Sequence, residues 1–483
     1  MLPVLTTTSD PIRSCFNINS IFIGELLILY VKFRTDKDSL GSVKVPYNAF
    51  YGPFTDRAVK QYNVTGQKSH ENLIRSFVMI KRSAAIANMK SNAINKKQGT
   101  AIVNACDKII SGKFQDQFVV DMINSGAGTA LNMNVNEVIA NVALKVLGKR
   151  QGQYQFLHPN DHVNMSQSSN DTYPTAMHMA ILFSLKDLVP VIDKLIDSLD
   201  KKAKKFSKYK KIGRTHLMDA LPVTLGSEFA AYVTSLSIAR DQIISSQKQL
   251  LNIALGGTAV GTGANTPKGY RKSVITELGK ISKLSLQPQK DMQYALQSKF
   301  PVANASSALK NFAIELGKIS NDIRLMASGP VAGLSEIGIP AVHAGSSIMP
   351  GKVNPSLAEC MNMICFSVIG NDTTVSFAAQ AGQFELNVML PGMLKAVLDS
   401  TDMLTNFLPI FSKNLIDGLT ANQSKLRENI ENSPVIVTLL TPKIGYQKSA
   451  ELFKESLKSG KTIRELVISK KLLTNKEVDS LLG

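Results

Sequence analysis

Residues 185–199 read LKDLVPVIDKLIDSL. Leu185, Leu188, Val189, Ile192, Leu195, Ile196 and Leu199 recur at steps of three and four, the repeat of one face of an α-helix. The pattern extends over residues 168–211, and Pro190 predicts a kink in that helix rather than its end. Similar patterns run through residues 227–254, 305–326 and 356–408. Many of these are longer than ordinary globular helices, which run to roughly 20 residues. The expectation is a mainly α protein: a bundle of long helices packed on one another, across subunits as well as within one chain.

Outward from these rods the pattern changes. From Asp36 to Tyr51 the chain has turn and strand character, with Gly41, Pro46, Val43 and Val45. Near the other end, Thr462 with Glu465 and Thr474 with Glu477 read as capping boxes that open short helices. No internal repeat or low-complexity linker interrupts the chain. The expected division is an extension at 1–33, an N-terminal domain at 34–168, a central long-helix domain at 169–424 and a small helical domain at 425–483. Polar, Gly-rich segments at 124–134, 158–171, 213–220, 256–266 and 345–355 lie between the rods, where sites usually form.

At 483 residues with 44% hydrophobic content the chain can bury more than one core. It has no Trp, which argues against a carbohydrate-binding or aromatic-cage surface. The net charge is +18, and the densest basic run, 201–211, holds seven Lys in eleven residues. That run reads as the solvated end of a long helix. No zinc-finger spacing, RNP motif or aromatic-interleaved basic strip accompanies it, so no nucleic-acid partner is expected. Cys15, Cys106, Cys360 and Cys365 are scattered, which fits a reducing, cytoplasmic setting with no structural metal. Residues 21–31 are apolar except for Glu25, yet too few to span a bilayer of roughly 30 Å as a helix. No membrane partner is expected. This segment reads as a strand-like extension or an upstream start, with a weak anchor as the alternative.

Residues 345–355, GSSIMPGKVNP, combine two hydroxyls, two glycines, a cation at Lys352 and an amide at Asn354. Lys and Asn two positions apart can grip one carboxylate together. A serine in such a loop can act as a base if its alkoxide is stabilised. Two further blocks stand upstream: SGAGTALNMN at 125–134 and GRTHLMDA at 213–220. The three together resemble the signatures of the fumarase/aspartase superfamily, and the resemblance covers about residues 34–482.

The resemblance implies a three-domain fold whose central helices form a 20-helix core in a homotetramer. It also implies active sites shared by three subunits, a small dicarboxylate substrate and no cofactor. The implied reaction is anti elimination that releases fumarate. Ser346 matches the base that removes the Cβ proton, and Lys352 and Asn354 match the clamp on the adjacent carboxylate. Removing that proton spills charge into the carboxylate, and positioned donors and a cation stabilise it. Thr129, Asn132, Ser168, Ser169, Asn170, Thr215 and Ser347 match the short hydroxyl and amide donors around the second carboxylate and the leaving group. His216 and Glu359 resemble a paired histidine and carboxylate. His158, Asn160 and Asp161 resemble an accessory anion site, with a structural turn as an equal alternative. The GxGxxG-like spacing in 256–263 lacks the strand–helix setting of a dinucleotide site.

Two branches of the superfamily compete. Residues 50–58, 116–121, Ala127, 370–375 and the tail from 460 lean towards release of ammonia from aspartate. His158, residues 167–171, residues 219–225 and Gly256–Gly257 lean towards release of water from malate. The first is favoured.

Overall fold

A computed structural model describes residues 32–343 and 348–482. Ser346, Ser347, Cys15 and the apolar segment 21–31 lie outside the described residues. The N-terminal part opens with an antiparallel hairpin, β1 (Phe33–Asp38) against β2 (Gly41–Pro46). Helices follow: α1 (Pro53–Gln61), α2 (Glu71–Lys90), α3 (Lys96–Ile110) and α4 (Thr129–Val146). Arg34 ties the hairpin to this layer, donating to the carbonyl oxygens of Ala49 and Tyr51 at 2.5 and 2.6 Å.

The expected rods are present. α5 spans Ser169–Lys205, with Pro174 and Pro190 inside it. Leu185, Leu188, Ile192, Leu195 and Leu199 are fully buried, so the apolar stripe read from the sequence faces the core. A second hairpin, β3 (Lys210–Thr215) and β4 (Met218–Thr224), leads into α6 (Leu225–Leu250). The polar segment 213–220 is thus ordered strand and turn. Next come α7 (Tyr270–Ser282), α8 (Met292–Gln297), α9 (Phe300–Met326), α10 (Ser356–Gln380) and α11 (Leu390–Asn414). α5 packs on α6, α6 on α9, α9 on α10, α10 on α11, and α11 returns to α5. Five long helices thus close a ring around the main apolar core.

The run expected over 356–408 is two helices rather than one. Asn387 is fully buried in the break, and its Nδ2 donates to the carbonyl oxygens of Ala378 and Ala379 at 2.9 and 3.0 Å. It satisfies the last carbonyls of α10, while its Oδ1 accepts from the Met389 N–H at the entry to α11.

Five lysines of the basic run are exposed, as a solvated helix end requires, and two are not. Lys202 is buried and donates to the carbonyls of Asp417 and Leu419. Lys211 is buried against Glu228 and Glu336.

Short helices α12 (Gln423–Asn432), α13 (Thr441–Ile444), α14 (Tyr446–Ser459), α15 (Ile463–Ser469) and α16 (Asn475–Leu482) finish the chain. Ile436, Leu440, Leu452, Ile463, Leu466 and Val478 build a separate small core that includes Ile212 of β3. The capping box at Thr462 is formed: its N–H donates to Glu465 and its hydroxyl accepts the Glu465 N–H.

α10 carries no charge between Glu359 and Asp372. Its inner face is Met361, Cys365, Val368 and Val375, and its outer face exposes Met363, Phe366 and Phe377 at 60–65%. Among the described residues, no helix is long and apolar enough to cross a membrane.

Candidate active site

Two helix starts meet at the centre of the site. α4 begins behind a left-handed turn, with Ala127 at φ 55° and Gly128 at φ 65°. A Cβ on Gly128 would lie 1.9 Å from the Tyr173 ring, so α4 can approach α5 only with glycine there. The Ala127 N–H donates to the Val388 carbonyl at 2.8 Å, tying this turn to the segment before α11. Thr129 then opens α4, and buried Asn132 follows one turn later.

Ser168 caps α5. Its hydroxyl accepts the Asn170 N–H at 3.2 Å, and its own N–H donates to Asp171 Oδ1 at 3.0 Å. Asp171 Oδ2 accepts the N–H groups of Gly256 and Thr258 at 3.0 and 2.9 Å. Asn170 Nδ2 donates to the Ala259 carbonyl at 2.9 Å. The Gly-rich segment 256–263 therefore anchors the start of α5. Burial pushes the Asp171 carboxyl up to about 6, against the backbone N–H groups that favour its charged form.

The hydroxyls of Thr129 and Ser169 lie 3.1 Å apart. Two helix N-termini, each the positive end of a helix dipole, thus converge beside short hydroxyl and amide donors. This arrangement suits a small anion.

The remaining sequence-derived residues stand elsewhere on the chain. Thr215 and His216 are exposed at the tip of the β3–β4 hairpin. His216 and Leu217 form a two-residue turn with φ 56° and 61°, unusual for two non-glycine residues. The base of the hairpin is locked by buried Glu336, which meets Lys211 at 2.7 Å and Arg214 at 2.8 Å. Burial alone would raise the Glu336 carboxyl, but Arg214 and Lys211 hold it below its usual value. Lys352 is exposed, Asn354 half-buried, and Glu359 lies in the first turn of α10. Among the described residues, no hydrogen bond or ion pair joins His216 to Glu359, or either of them to Thr129 or Ser169.

The family described as "Lyase" matches residues 41–370, and that described as "Fumarase C C-terminus" matches 436–483. The chain belongs to the lyase family. An aspartate ammonia-lyase of Bacillus sp is 44% identical over 450 residues, covering 93% of this chain and 96% of the relative. A solved fumarate lyase:delta crystallin from Brucella melitensis has a TM-score of 0.90 at 41% identity, covering 93% of this lyase and 98% of that chain. A class II fumarase from Schistosoma mansoni has a TM-score of 0.90 at 36% identity, covering 94% and 98%.

In this lyase His158 caps a single helical turn. Its Nδ1 accepts the N–H groups of Asn160 and Asp161 at 3.2 and 3.3 Å, and it lies 3.4 Å from Asp161 Oδ2. His158 and Asn160 also line a cleft of about 830 Å³ together with Thr129, Lys37 and Arg57. The motif thus forms a structural turn, one face of which opens on this cleft.

Sequence reasoning missed Lys81, Asn164 and Asp171. Lys81 Nζ donates to Asn132 Oδ1 at 2.7 Å and to Asn164 Oδ1 at 2.8 Å. One signal was available. Lys81 falls on the apolar stripe of α2, four residues after Phe77, where a charge is out of place.

Proposed function

We propose that this lyase eliminates ammonia from L-aspartate to give fumarate. The observation that carries the reading is its 44% identity, over 93% of the chain, to an aspartate ammonia-lyase. In this reading Ser346 removes the Cβ proton. Lys352 and Asn354 neutralise the charge that moves into the adjacent carboxylate. Thr129, Asn132, Ser168, Ser169, Asn170, Thr215 and Ser347 hold the other carboxylate and the amino group. An ammonium group departs as neutral ammonia and needs no proton donor, so His216 and Glu359, which the resemblance makes catalytic residues, are not required as a general acid for this leaving group.

The site is completed by neighbouring copies. The outward positions of Thr215, His216 and Lys352, together with the uncharged outer face of α10, support a homotetramer; the scattered cysteines support a cytoplasmic setting. Four copies of the five-helix ring would make the 20-helix core. The working division is 34–168, 169–424 and 425–483, with 1–33 as an extension.

A second reading, hydration of fumarate to L-malate, is favoured by His158 and Asn160 beside Thr129 in one cleft. Ultraviolet absorbance of fumarate, followed with L-aspartate and L-malate in turn, separates the two. Fumarate from aspartate alone is expected, and fumarate from malate alone replaces the first reading with the second.

A further inference from the structure

Lys81 is fully buried in the middle of α2. Its two oxygen partners are neutral amides, Asn132 Oδ1 on α4 and Asn164 Oδ1 just before α5. Among the described residues, no carboxylate lies within ion-pair distance of it. Asp171 is a buried acid whose charge acts on Lys81, and its oxygens are occupied by the N–H groups of Ser168, Gly256 and Thr258. Cys106, the other group facing Lys81, is buried, and burial pushes its thiol strongly up, which keeps it neutral.

An ammonium buried against neutral acceptors alone costs folding free energy. If the position needed only volume, Leu or Met would fill the stripe between Phe77 and Ala84 without that cost. The cation also does something specific to Asn132. It occupies Oδ1, and the Thr172 hydroxyl approaches the same oxygen at 3.4 Å. The amide is thereby fixed with its oxygen inward; one N–H of its Nδ2 reaches Asn164 Oδ1 at 3.4 Å, and the second N–H remains as the donor. A carboxylate needs that end. Asn132 lies one helical turn beyond Thr129, whose hydroxyl meets Ser169.

We propose that Lys81 is a positioning residue for the dicarboxylate: its buried ammonium orients the Asn132 amide and supplies the cation beneath the hydroxyl cluster that draws a substrate carboxylate. Burial pulls the Lys81 ammonium down to about 7 from an ordinary 10.5, against the raising effect of the Asp171 carboxylate, so the unliganded protein holds this group near the point of losing its proton, and a bound anion favours the charged form. This inference rests on the reading that Asn132 holds a substrate carboxylate.

The test uses the full-length assembly and compares wild type, Lys81→Met, Lys81→Gln and Asn132→Ala. It reads KM and kcat with L-aspartate, inhibition by succinate, and the rise in melting temperature that succinate produces. In Lys81→Met, KM and the succinate inhibition constant should each rise about tenfold or more, with a smaller change in kcat. The succinate-induced rise in melting temperature should shrink, while the unliganded melting temperature stays level or increases. A role in packing alone moves the unliganded melting temperature and leaves the succinate response intact. Lys81→Gln keeps an amide donor without the charge and should weaken succinate binding to a lesser degree. If the Met variant does not assemble, the Gln variant carries the test. KM and succinate inhibition within about twofold of wild type in the folded Lys81 variant, with Asn132→Ala weakened, would overturn the role of Lys81 alone. An unchanged Asn132→Ala would overturn the reading of Asn132 and this inference with it.

Discussion

Glu336 and Lys211 form a buried ion pair, with Glu336 Oε2 2.7 Å from Lys211 Nζ and side chains 0% and 3% exposed. Arg214 reaches the other carboxylate oxygen at 2.8 Å. One acid therefore holds two strand positions of the hairpin whose tip carries Thr215 and His216. The same acid precedes the 345–355 segment by nine residues. The hairpin and the lead into the 345–355 segment share one anchor.

Glu336→Gln leaves Lys211 and Arg214 facing each other without their shared anion, although Lys211 keeps Glu228 at 2.9 Å. Removing one partner of a buried pair costs about 3–5 kcal/mol. Urea unfolding should show a loss of that size, together with a fall in kcat as the hairpin loses its fixed pose. A stability change below about 1 kcal/mol would show that the pair is replaceable.

His178 is buried in α5, with its Nδ1 3.1 Å from the Leu250 carbonyl. Burial first, and the Lys299 cation second, push its imidazole down to about 4 from an ordinary 6.5. The unfolded chain therefore binds a proton here at pH values where the folded chain does not. Its contribution is fully present above pH 6.5 and is lost as pH falls through 4, approaching about 3 kcal/mol. Urea midpoints at neutral pH and near pH 4 should converge between wild type and His178→Gln on acidification. A difference that does not vary with pH rules the effect out.

Phe366 is 63% exposed on the outer face of α10. Phe366→Glu places a charge on an apolar face that we assign to subunit contact. Light scattering should find four chains in the wild type and fewer in the variant. Activity should fall with the assembly, because Thr215 and His216 would no longer reach the Lys352 of another copy. A variant that remains tetrameric and active would move the interface elsewhere.

Ser346→Ala removes the hydroxyl assigned as the base. Turnover should fall by about a thousandfold or more, while circular dichroism and assembly mass stay unchanged. Near-normal turnover would take the base role from Ser346.

Much of the architecture was legible. The stripe from Leu185 to Leu199 marked α5, and Thr462 with Glu465 marked the start of α15, because helix periodicity and capping depend on neighbours within one or two turns. The break between α10 and α11 was not legible. It depends on one buried asparagine whose amide reaches back eight and nine residues. The hairpin turn at His216 and Leu217 was hidden for another reason: neither residue type advertises a positive φ.

The candidate site divides in the same way. Residue types and motif order by themselves determined the lyase family and the long-helix class, and they put forward the hydroxyl and amide donors as candidates. Tertiary structure decided that Thr129 meets Ser169 across two helix starts, that Asp171 anchors the Gly256 segment, and that Lys81 lies beneath Asn132. Those pairs are 40, 85 and 51 residues apart. Contacts at such separations leave no local periodicity, since they exist only once the helices have packed.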